Sequence, residues 1–419
     1  MRLSFSISMA LATTVVGFQS YANNIDTAKS ISPVDPLSIS ELHFISEPTS
    51  ITKSSAAQKQ SLALQISERY SDLEIQLKDQ ITEKHPSTSL DTLGASQAYS
   101  AFSYEMEEAD LSYRKMKGIE DFSDSVLEIR MADEAMIQAW KNGENPLFAF
   151  EPSGDDSNWQ YIEAYDVYGQ VHQLDVYQMP DVPVFVVDSN GAEELKAGLM
   201  AMQAEMQKLG TTTQINADTD SDSRQFNNKN NHARTFAFVD QFEPKPLSTT
   251  QLTQIRLEVD QEPWISGKAE IYAIVTGVDS SRLEPQIDLV DMPYLDYDKQ
   301  TYYPNQTVVF WPRYRWGAAD MILMEQDDGT DYKALAKLLV QAAEEILKMI
   351  PDPEAQGYAI IPQITGKIID VIPDGVLVND DDFVDVYYNL MQNTPYADRP
   401  GAGGNAVASF APVTISPTE

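Results

Sequence analysis

The chain contains no cysteine and only four histidines among its 419 residues. Without thiols it has no disulfide, no thiolate metal site, no cysteine nucleophile and no lipoprotein anchor. An exported protein of this length can fold without disulfides because its apolar core is large enough. His43, His85, His172 and His232 are far apart in sequence, and no zinc-binding His-Glu-x-x-His helix is present.

Positive charge is scarce as well. Lys and Arg number 29 against 64 Asp and Glu, which gives a formal net charge of -35 and a pI of about 4.3. Because nucleic acids and anionic membranes would repel such a surface, we expect neither as a partner. Beyond the N-terminus, no apolar run approaches the ~20 residues that a membrane helix needs. The Gly-x-Ser-x-Gly elbow and the phosphate-binding Gly-rich loop are also missing.

The N-terminus has the pattern of a secretory signal. Arg2 precedes an apolar stretch over residues 7–18, and Ser20 and Ala22 place small residues at the −3 and −1 positions of a cleavage before Asn23. We therefore predict a signal peptide over residues 1–22 and a mature protein that is secreted or periplasmic. Residues 23–60 are rich in Ser, Thr and Pro, which predicts a flexible leader.

Residues 61–209 are predicted to form an α+β domain. Leu62, Ile66, Tyr70, Leu73 and Leu77 recur at helical spacing. Alternating or apolar runs predict strands over 126–130, 146–150, 161–165, 171–176 and 182–187, and further helices over 95–116, 133–141 and 192–208. Residues 210–234 are almost free of apolar side chains, which predicts a polar linker.

Residues 235–419 are predicted to form a β-sandwich with a helical insert at about 332–372. Strands are expected over 235–239, 253–259, 269–276, 286–290, 307–311, 321–324, 383–389 and 407–410, and helices over 334–349 and 358–372. The predicted fold class is therefore α+β, in which an N-terminal helical α+β unit precedes a C-terminal sandwich.

Two dense acidic segments in the C-terminal part predict a calcium site. Calcium takes six to eight oxygen ligands, and carboxylates on loops at one end of a sandwich can supply them. The candidate ligands are Asp327, Asp328, Asp331, Asp380, Asp381, Asp382 and Asp385, with Asp291, Asp296 and Asp298 as a third loop. The alternative is a solvated acidic surface, since 64 Asp and Glu make such clusters unsurprising. The spacing is not that of an EF-hand.

Glu262 and Glu270 flank Trp264 in a strand–turn–strand segment. Either carboxylate could reach the same metal ion or pair with Arg313 or Arg315. The alternative interpretation is turn chemistry with the indole in the core.

The aromatic residues Trp311, Tyr314 and Trp316 alternate after a predicted strand. They could bind the faces of sugars by stacking and cation–π contacts. The alternative, which this spacing favours, is a packed edge of the sandwich.

Residues 182–191, 262–272, 316–320 and 379–385 together resemble a bacterial secreted family known only as a domain of unknown function. The resemblance covers most of the mature chain from Ser61 onward and implies no activity. The C-terminal half is more loosely similar to C2 domains, the calcium- and lipid-binding β-sandwiches, because its strands end in paired Asp-rich loops. The carboxylate spacing, the helical insert and the scarcity of basic residues depart from the C2 pattern, so the likeness does not imply lipid binding.

These observations favour an exported binding or interaction protein with a calcium-stabilised sandwich, whose partner is an extracellular protein or glycan. The alternative is a secreted hydrolase that uses carboxylates with or without a bound metal, although no catalytic pair stands out. A third hypothesis is that the N-terminal unit serves the sandwich as a chaperone-like or inhibitory segment. The sequence specifies neither the partner nor the oligomeric state.

Overall fold

A computed structural model of the chain describes residues 50–94, 100–154, 156–211, 213–216, 246–259, 263–326, 329–372 and 383–416. The α-helices of these residues are α1 Ser50–Glu68, α2 Tyr70–Gln80, α3 Leu90–Gly94, α4 Ser100–Lys117, α5 Met136–Lys141, α6 Gly191–Lys208, α7 Tyr332–Met349, α8 Pro353–Gln356 and α9 Ile361–Val371. The strands are β1 Ser87–Ser89, β2 Leu127–Met131, β3 Leu147–Ala149, β4 Ile162–Tyr165, β5 Val171–Leu174, β6 Val184–Ser189, β7 Ile215–Asn216, β8 Leu247–Leu257, β9 Ile271–Val278, β10 Pro285–Asp291, β11 Thr301–Tyr302, β12 Gln306–Phe310, β13 Ala318–Glu325, β14 Phe383–Met391, β15 Tyr396–Pro400 and β16 Ala406–Ile415.

The first sheet has the strand order β1-β2-β6-β3-β4-β5. Its pairings are antiparallel except for the parallel pair of β3 and β6. Because side chains alternate along a strand, Ile129 and Phe185 point to the face where they share a core with Leu62, Ile66 and other helical residues. The helical spacing of the sequence near residue 62 is thus explained by packing on this sheet.

The second and third sheets have the orders β14-β13-β9-β10-β7 and β11-β8-β16-β15, and β12 also pairs with β8. Val275 and Leu323 of the second sheet share a hydrophobic core with Leu252 and Phe410 of the third. On its other face the second sheet packs against α7 and α9, so β9 and β13 are buried along their whole length. Strands buried on both faces become continuous apolar runs, as in β9.

Helices α6 and α7 pack against each other, and this contact links the N-terminal and C-terminal parts of the chain. Lys117 and Glu194 form a fully buried ion pair with 2.9 Å between Nζ and Oε1, and the Tyr332 hydroxyl lies 3.5 Å from the same oxygen. A methyl group placed on Gly198 would lie 2.2 Å from the Tyr332 ring, so only glycine lets the two helices approach this closely. By their contacts, residues 46–419 form one compact unit.

Most of the predicted elements are confirmed, and so is the mixed α+β class. The helix predicted from residue 61 is two helices, and α1 begins at Ser50, within the residues assigned to the leader. The residues assigned to the signal peptide, those of the strand at 235–239 and most of the linker lie outside the described residues. In the part of the chain that the structure describes, no helix has the length and apolar character needed to cross a bilayer.

Candidate functional site

A cleft of ≈ 720 Å³ lies between the first sheet and the C-terminal part of the chain. Its lining comes from β2, the junction of β6 with α6, the loop at residues 263–270 and the end of β13. A volume of this size is within the ~300–1,000 Å³ that ligand sites usually have. We refer to this cavity as the cleft.

Glu128 and Asp188 form the floor of the cleft. They are direct partners on the antiparallel strands β2 and β6, where facing side chains are ~5 Å apart at Cβ. Their neighbours Ile129 and Val187 point into the core on the opposite face. Both acidic residues are more than nine-tenths buried, with 8% and 6% of their surface exposed. Facing like charges destabilise a sheet, so this pair requires compensation.

Two cations compensate Asp188. Lys59, a fully buried residue of α1, places Nζ 2.7 Å from Oδ1. Arg130, two residues after Glu128 on β2, donates to Oδ2 from Nε at 3.0 Å and from Nη2 at 2.8 Å. Burial by itself would raise the pKa of Asp188, but the positive charges of Lys59 and Arg130 outweigh it and lower the pKa. Asp188 is therefore an ionised carboxylate that the buried Lys59 contacts at Oδ1 and the partly buried Arg130 at Oδ2.

Glu128 has the opposite electrostatic environment. Burial raises its pKa, and the negative charge of Asp188 adds to the rise, although hydrogen bonds to Glu128 act against it. Ser87 Oγ and Asn190 Nδ2 both donate to Oε2, at 3.0 and 2.9 Å. Among the described residues, no hydrogen-bond donor reaches Oε1 of Glu128. This carboxyl group therefore lines the cleft with one oxygen unused.

The loop at residues 263–270 forms the opposing wall. Its Ser266 hydroxyl donates to Glu151 Oε1 at 3.3 Å, and Trp264 Nε1 donates to the Asp175 carbonyl at 3.0 Å. Gly267 adopts a φ of +100° beside the Arg130 guanidinium, a conformation that favours glycine. These contacts fasten a segment of the C-terminal part onto the first sheet.

Glu270 lies at the C-terminal end of this loop. A methyl group on Gly191 would lie 2.1 Å from Oε1 of Glu270, so the carboxylate rests on the first residue of α6. The positive end of the helix dipole favours a negative charge at this position. Glycine at the start of α6 is thus explained by the close approach of a cleft carboxylate.

Aromatic rings and an excess of carboxylates complete the cleft. Of the described residues, eight acidic and two basic ones line it, together with Trp159, Trp264 and Tyr297. Lys268 Nζ lies 5.4 Å from the centre of the Tyr297 ring. It also pairs with Asp296 at 3.2 Å, so both basic groups of the lining are already engaged.

The predicted calcium ligands are only partly described. Asp327, Asp328, Asp380, Asp381 and Asp382 lie outside the described residues. Within those residues, no group of three or more His, Asp and Glu side chains is arranged to hold a metal ion.

The described members of the two acidic segments, Asp331 and Asp385, have different hydrogen-bond partners. Asp331 Oδ1 caps α7 by accepting from Ala334 N at 3.0 Å. Asp385 is fully buried, and its carboxylate accepts from the backbone N–H groups of Val386, Gly403 and Ala406, each at 2.7 Å.

The members of the third predicted loop also differ in their surroundings. Asp291 ends β10, where burial raises its pKa to about 6. Asp296 pairs with Lys268 at the edge of the cleft, and Asp298 pairs with the neighbouring Lys299.

Two of the three aromatic residues after β12 belong to the core, and the third, Trp316, is partly buried. Trp311 and Tyr314 are each 3% exposed and pack between the second and third sheets. Trp311 Nε1 donates to Thr250 Oγ1 at 3.0 Å, and the Tyr314 hydroxyl donates to Asp288 Oδ2 at 2.6 Å. The interpretation of these rings as a packed edge is the one that the structure bears out.

Sequence reasoning missed the floor of the cleft. Two signals were present: β2 carries charged Glu128 and Arg130 between apolar residues, and Asp188 follows an apolar run. Glu270 was considered as a partner for Arg313 or Arg315. Those arginines pair instead with Asp288 and Glu354.

The fold and the cleft define a mixed α+β protein built on mostly antiparallel sheets, with a large acidic cleft. The chain belongs to the family described as Protein of unknown function (DUF3103), which matches residues 59–418. This confirms the resemblance to an uncharacterised family. Neither a curated protein nor a solved structure matches the chain.

Proposed function

We propose that this protein is an exported binding protein that holds an extracellular ligand in the cleft. The observation that carries the proposal is the buried, partly unused carboxyl group of Glu128 in a cavity of ligand size. Glu128 lines the cleft, and the hydrogen bonds that it accepts from described residues both go to Oε2, so Oε1 is available to a donor on a ligand. Ligand sites combine a few such polar groups with aromatic walls, as Trp159 and Trp264 provide here.

Export is proposed from the N-terminal sequence. The charged Arg2, the apolar stretch over 7–18 and the small residues before Asn23 support a cleaved signal peptide. The mature protein would then act in the periplasm or outside the cell. Its partner there would be a small molecule, or part of a protein or glycan.

We also propose that the second and third sheets form a C2-like sandwich that calcium stabilises. The shared core of these sheets supports the sandwich. The calcium part rests on the density of carboxylates at residues 327–331 and 380–385. Calcium and ligand binding are independent parts of the proposal, because the cleft residues Glu128 and Asp188 are not among the predicted calcium ligands.

The test of cleft binding uses a pair of bulky substitutions. Ala192 is exposed, lines the cleft and is the second residue of α6; Ala101 is exposed, lies outside the lining and is the second residue of α4. Ligand-observed NMR would screen alkylamines, neutral oligosaccharides, carboxylates and apolar compounds. We expect saturable binding of one class that Ala192→Trp abolishes and Ala101→Trp keeps. If no class binds, or if binding survives Ala192→Trp, the proposal is overturned.

One observation favours the hydrolase alternative. The opposite pKa shifts of Glu128 and Asp188 resemble the separation that enzymes create between a proton donor and an ionised carboxylate. Asp188, however, already accepts from Lys59, Arg130 and the N–H of Ser189, which leaves little capacity to attack a substrate. Hydrolysis of aryl glycosides or esters that Glu128→Gln abolishes would establish this alternative in place of simple binding.

A further inference from the structure

We propose that the ligand of the cleft is an organic cation that carries ammonium or guanidinium groups. Glu128 binds it together with the rings of Trp159 and Trp264, which we call the aromatic wall. This inference rests on the proposed binding function and names its ligand class. Amines reach such a site either as free polyamines or as basic side chains of a peptide. The chemistry of recognition is the same for both sources.

The charges of the lining select for a cation. Eight carboxyl groups face two basic groups, and both bases are already paired, Arg130 with Asp188 and Lys268 with Asp296. An anionic ligand would find no uncommitted base among the described residues of the lining and would meet a strongly negative field. A cation is attracted by the same field and can approach faster than a neutral ligand.

Glu128 supplies the specific contact. It is 8% exposed, its Oε2 accepts from Ser87 and Asn190, and its Oε1 has no partner among the described residues. An ammonium group is a donor and a positive charge together, so it satisfies this oxygen and the charge of the ionised carboxylate at once. A neutral hydroxyl would satisfy only the hydrogen bond.

The aromatic wall suits the same ligand. Lys268 already lies over the face of Tyr297, so the protein contains one cation–π contact at the edge of the cleft. Trp159 and Trp264 are only half-buried and line the same cavity. Indole is the side chain that binds cations best through its face.

The geometry favours an organic cation over a metal ion. Metal ions need several carboxylates at one point, and within the described residues no group of three acidic side chains is arranged in this way. A cleft of ≈ 720 Å³ instead fits an elongated molecule with charges at separate positions. Diamines, polyamines and basic side chains have this shape.

Binding of a cation should depend on pH. The charged groups around Glu128 are Asp188 across the strand pair, Arg130 on the same strand, Lys59 behind Asp188 and Glu270 near Arg130. The cation favours the ionised form of Glu128, whose pKa is raised in the free protein mainly by burial. Affinity should therefore rise with pH through that raised pKa and level off above it, and binding at a pH below that pKa should release a proton.

The experiment is titration calorimetry of the mature protein with spermidine, with tri-lysine and with a neutral oligosaccharide. Buffers of different ionisation enthalpy measure the protons released by the unaltered protein. Glu128→Gln is compared with Glu193→Gln, an exposed acid on α6 that follows Ala192 but does not line the cleft. Both variants replace one acidic side chain of the same region by its neutral amide. Thermal unfolding shows that each variant is folded.

We expect an amine to bind with proton release, and Glu128→Gln to weaken binding on the order of thirtyfold and to abolish the release. Glu193→Gln should change affinity less than about threefold, as for charges at a rim. Preference for spermidine or for tri-lysine distinguishes a free polyamine from a peptide. Equal losses in the two variants would mean general charge attraction and would overturn the inference.

The two proposals can fail separately. If the oligosaccharide binds, the amines do not, and Ala192→Trp abolishes that binding, the cation inference is wrong and the binding function stands. If nothing in the wider screen binds in the cleft, both are wrong.

Discussion

Glu128 and Asp188 face each other across β2 and β6, yet their carboxyl groups have opposite pKa shifts. The difference arises because Lys59 and Arg130 both contact Asp188, while Glu128 receives only neutral donors from Ser87 and Asn190. The protein thus compensates the charge of Asp188 with two cations and gives Glu128 no direct cationic partner among the described residues.

The first prediction concerns Glu128. Its raised folded-state pKa means that the folded protein loses stability as pH rises from the unfolded value of about 4.3 through the folded pKa. Glu128→Gln removes that loss, so we expect a higher midpoint of thermal unfolding at pH 7 and no gain below about pH 4. Thermal unfolding of the variant and the unaltered protein at pH 7 and below about pH 4 measures the difference in midpoint. A lower midpoint at pH 7 would show that the ionised carboxylate stabilises the fold.

The second prediction concerns Asp188, whose folded-state pKa is lowered. Its stabilising contribution is present above the unfolded pKa of about 3.9 and is lost as pH falls through the folded pKa. Asp188→Asn removes the carboxylate that pairs with the buried Lys59 and with Arg130, so we expect a loss of about 3–5 kcal/mol in the free energy of unfolding at pH 7. Denaturant titration measures the loss. Adding Lys59→Met should recover part of it, and a double variant no more stable than the single one would contradict this account.

The third prediction compares two helical glycines. Gly198→Ala places a methyl group against the Tyr332 ring, and overpacking of this kind costs about 1–3 kcal/mol. Gly366 in α9 has no heavy atom within 4 Å of the position of a methyl group, so Gly366→Ala should stabilise by up to about 1 kcal/mol through helix propensity. Urea unfolding of both variants tests the pair. If both substitutions change the free energy of unfolding equally, α6 and α7 pack less tightly than the structure shows.

The fourth prediction concerns calcium. At about a hundred times its dissociation constant, a ligand stabilises the folded state by about 2.7 kcal/mol, which corresponds to a rise on the order of 5 °C in the unfolding midpoint. We expect such a rise with calcium relative to a chelator, at matched ionic strength. Asp328→Asn together with Asp381→Asn should abolish it.

The control for the calcium prediction removes the same number of negative charges, but from a helix outside the acidic segments. Asp72→Asn together with Asp79→Asn alters two exposed acids of α2 and should leave the calcium response intact. If the calcium-dependent rise in the unfolding midpoint survives the Asp328 and Asp381 substitutions, the acidic segments are a solvated surface and not a calcium site.

Local pattern was enough to predict many elements. The alternation around Tyr168 and Gly169 predicts the β4–β5 hairpin, and the apolar stripe from Leu335 predicts α7. Strands as short as β7 and β11 have too few residues for a period to be visible. Propensity and periodicity act over a few neighbouring residues, and these elements exist only because a longer strand pairs with them.

The cleft could not be predicted in the same way. Glu128 and Asp188 meet only through the register of β2 and β6, and Glu270 reaches Gly191 from another part of the chain. A one-residue change of register would turn either acid to the other face of the sheet. Such contacts depend on tertiary pairing, for which a single sequence contains no direct signal. Dense acidic runs are visible in the sequence, whereas a lone buried carboxyl group is not.

The contact of α6 with α7 has a consequence for the order in which the protein can fold. Leu195, Leu199 and Met202 of α6 share their core with Leu335 and Leu339 of α7, which are made much later in synthesis. Contacts so distant in sequence slow folding because a long loop must close first. The chain would therefore stay incompletely folded until its C-terminal part is present.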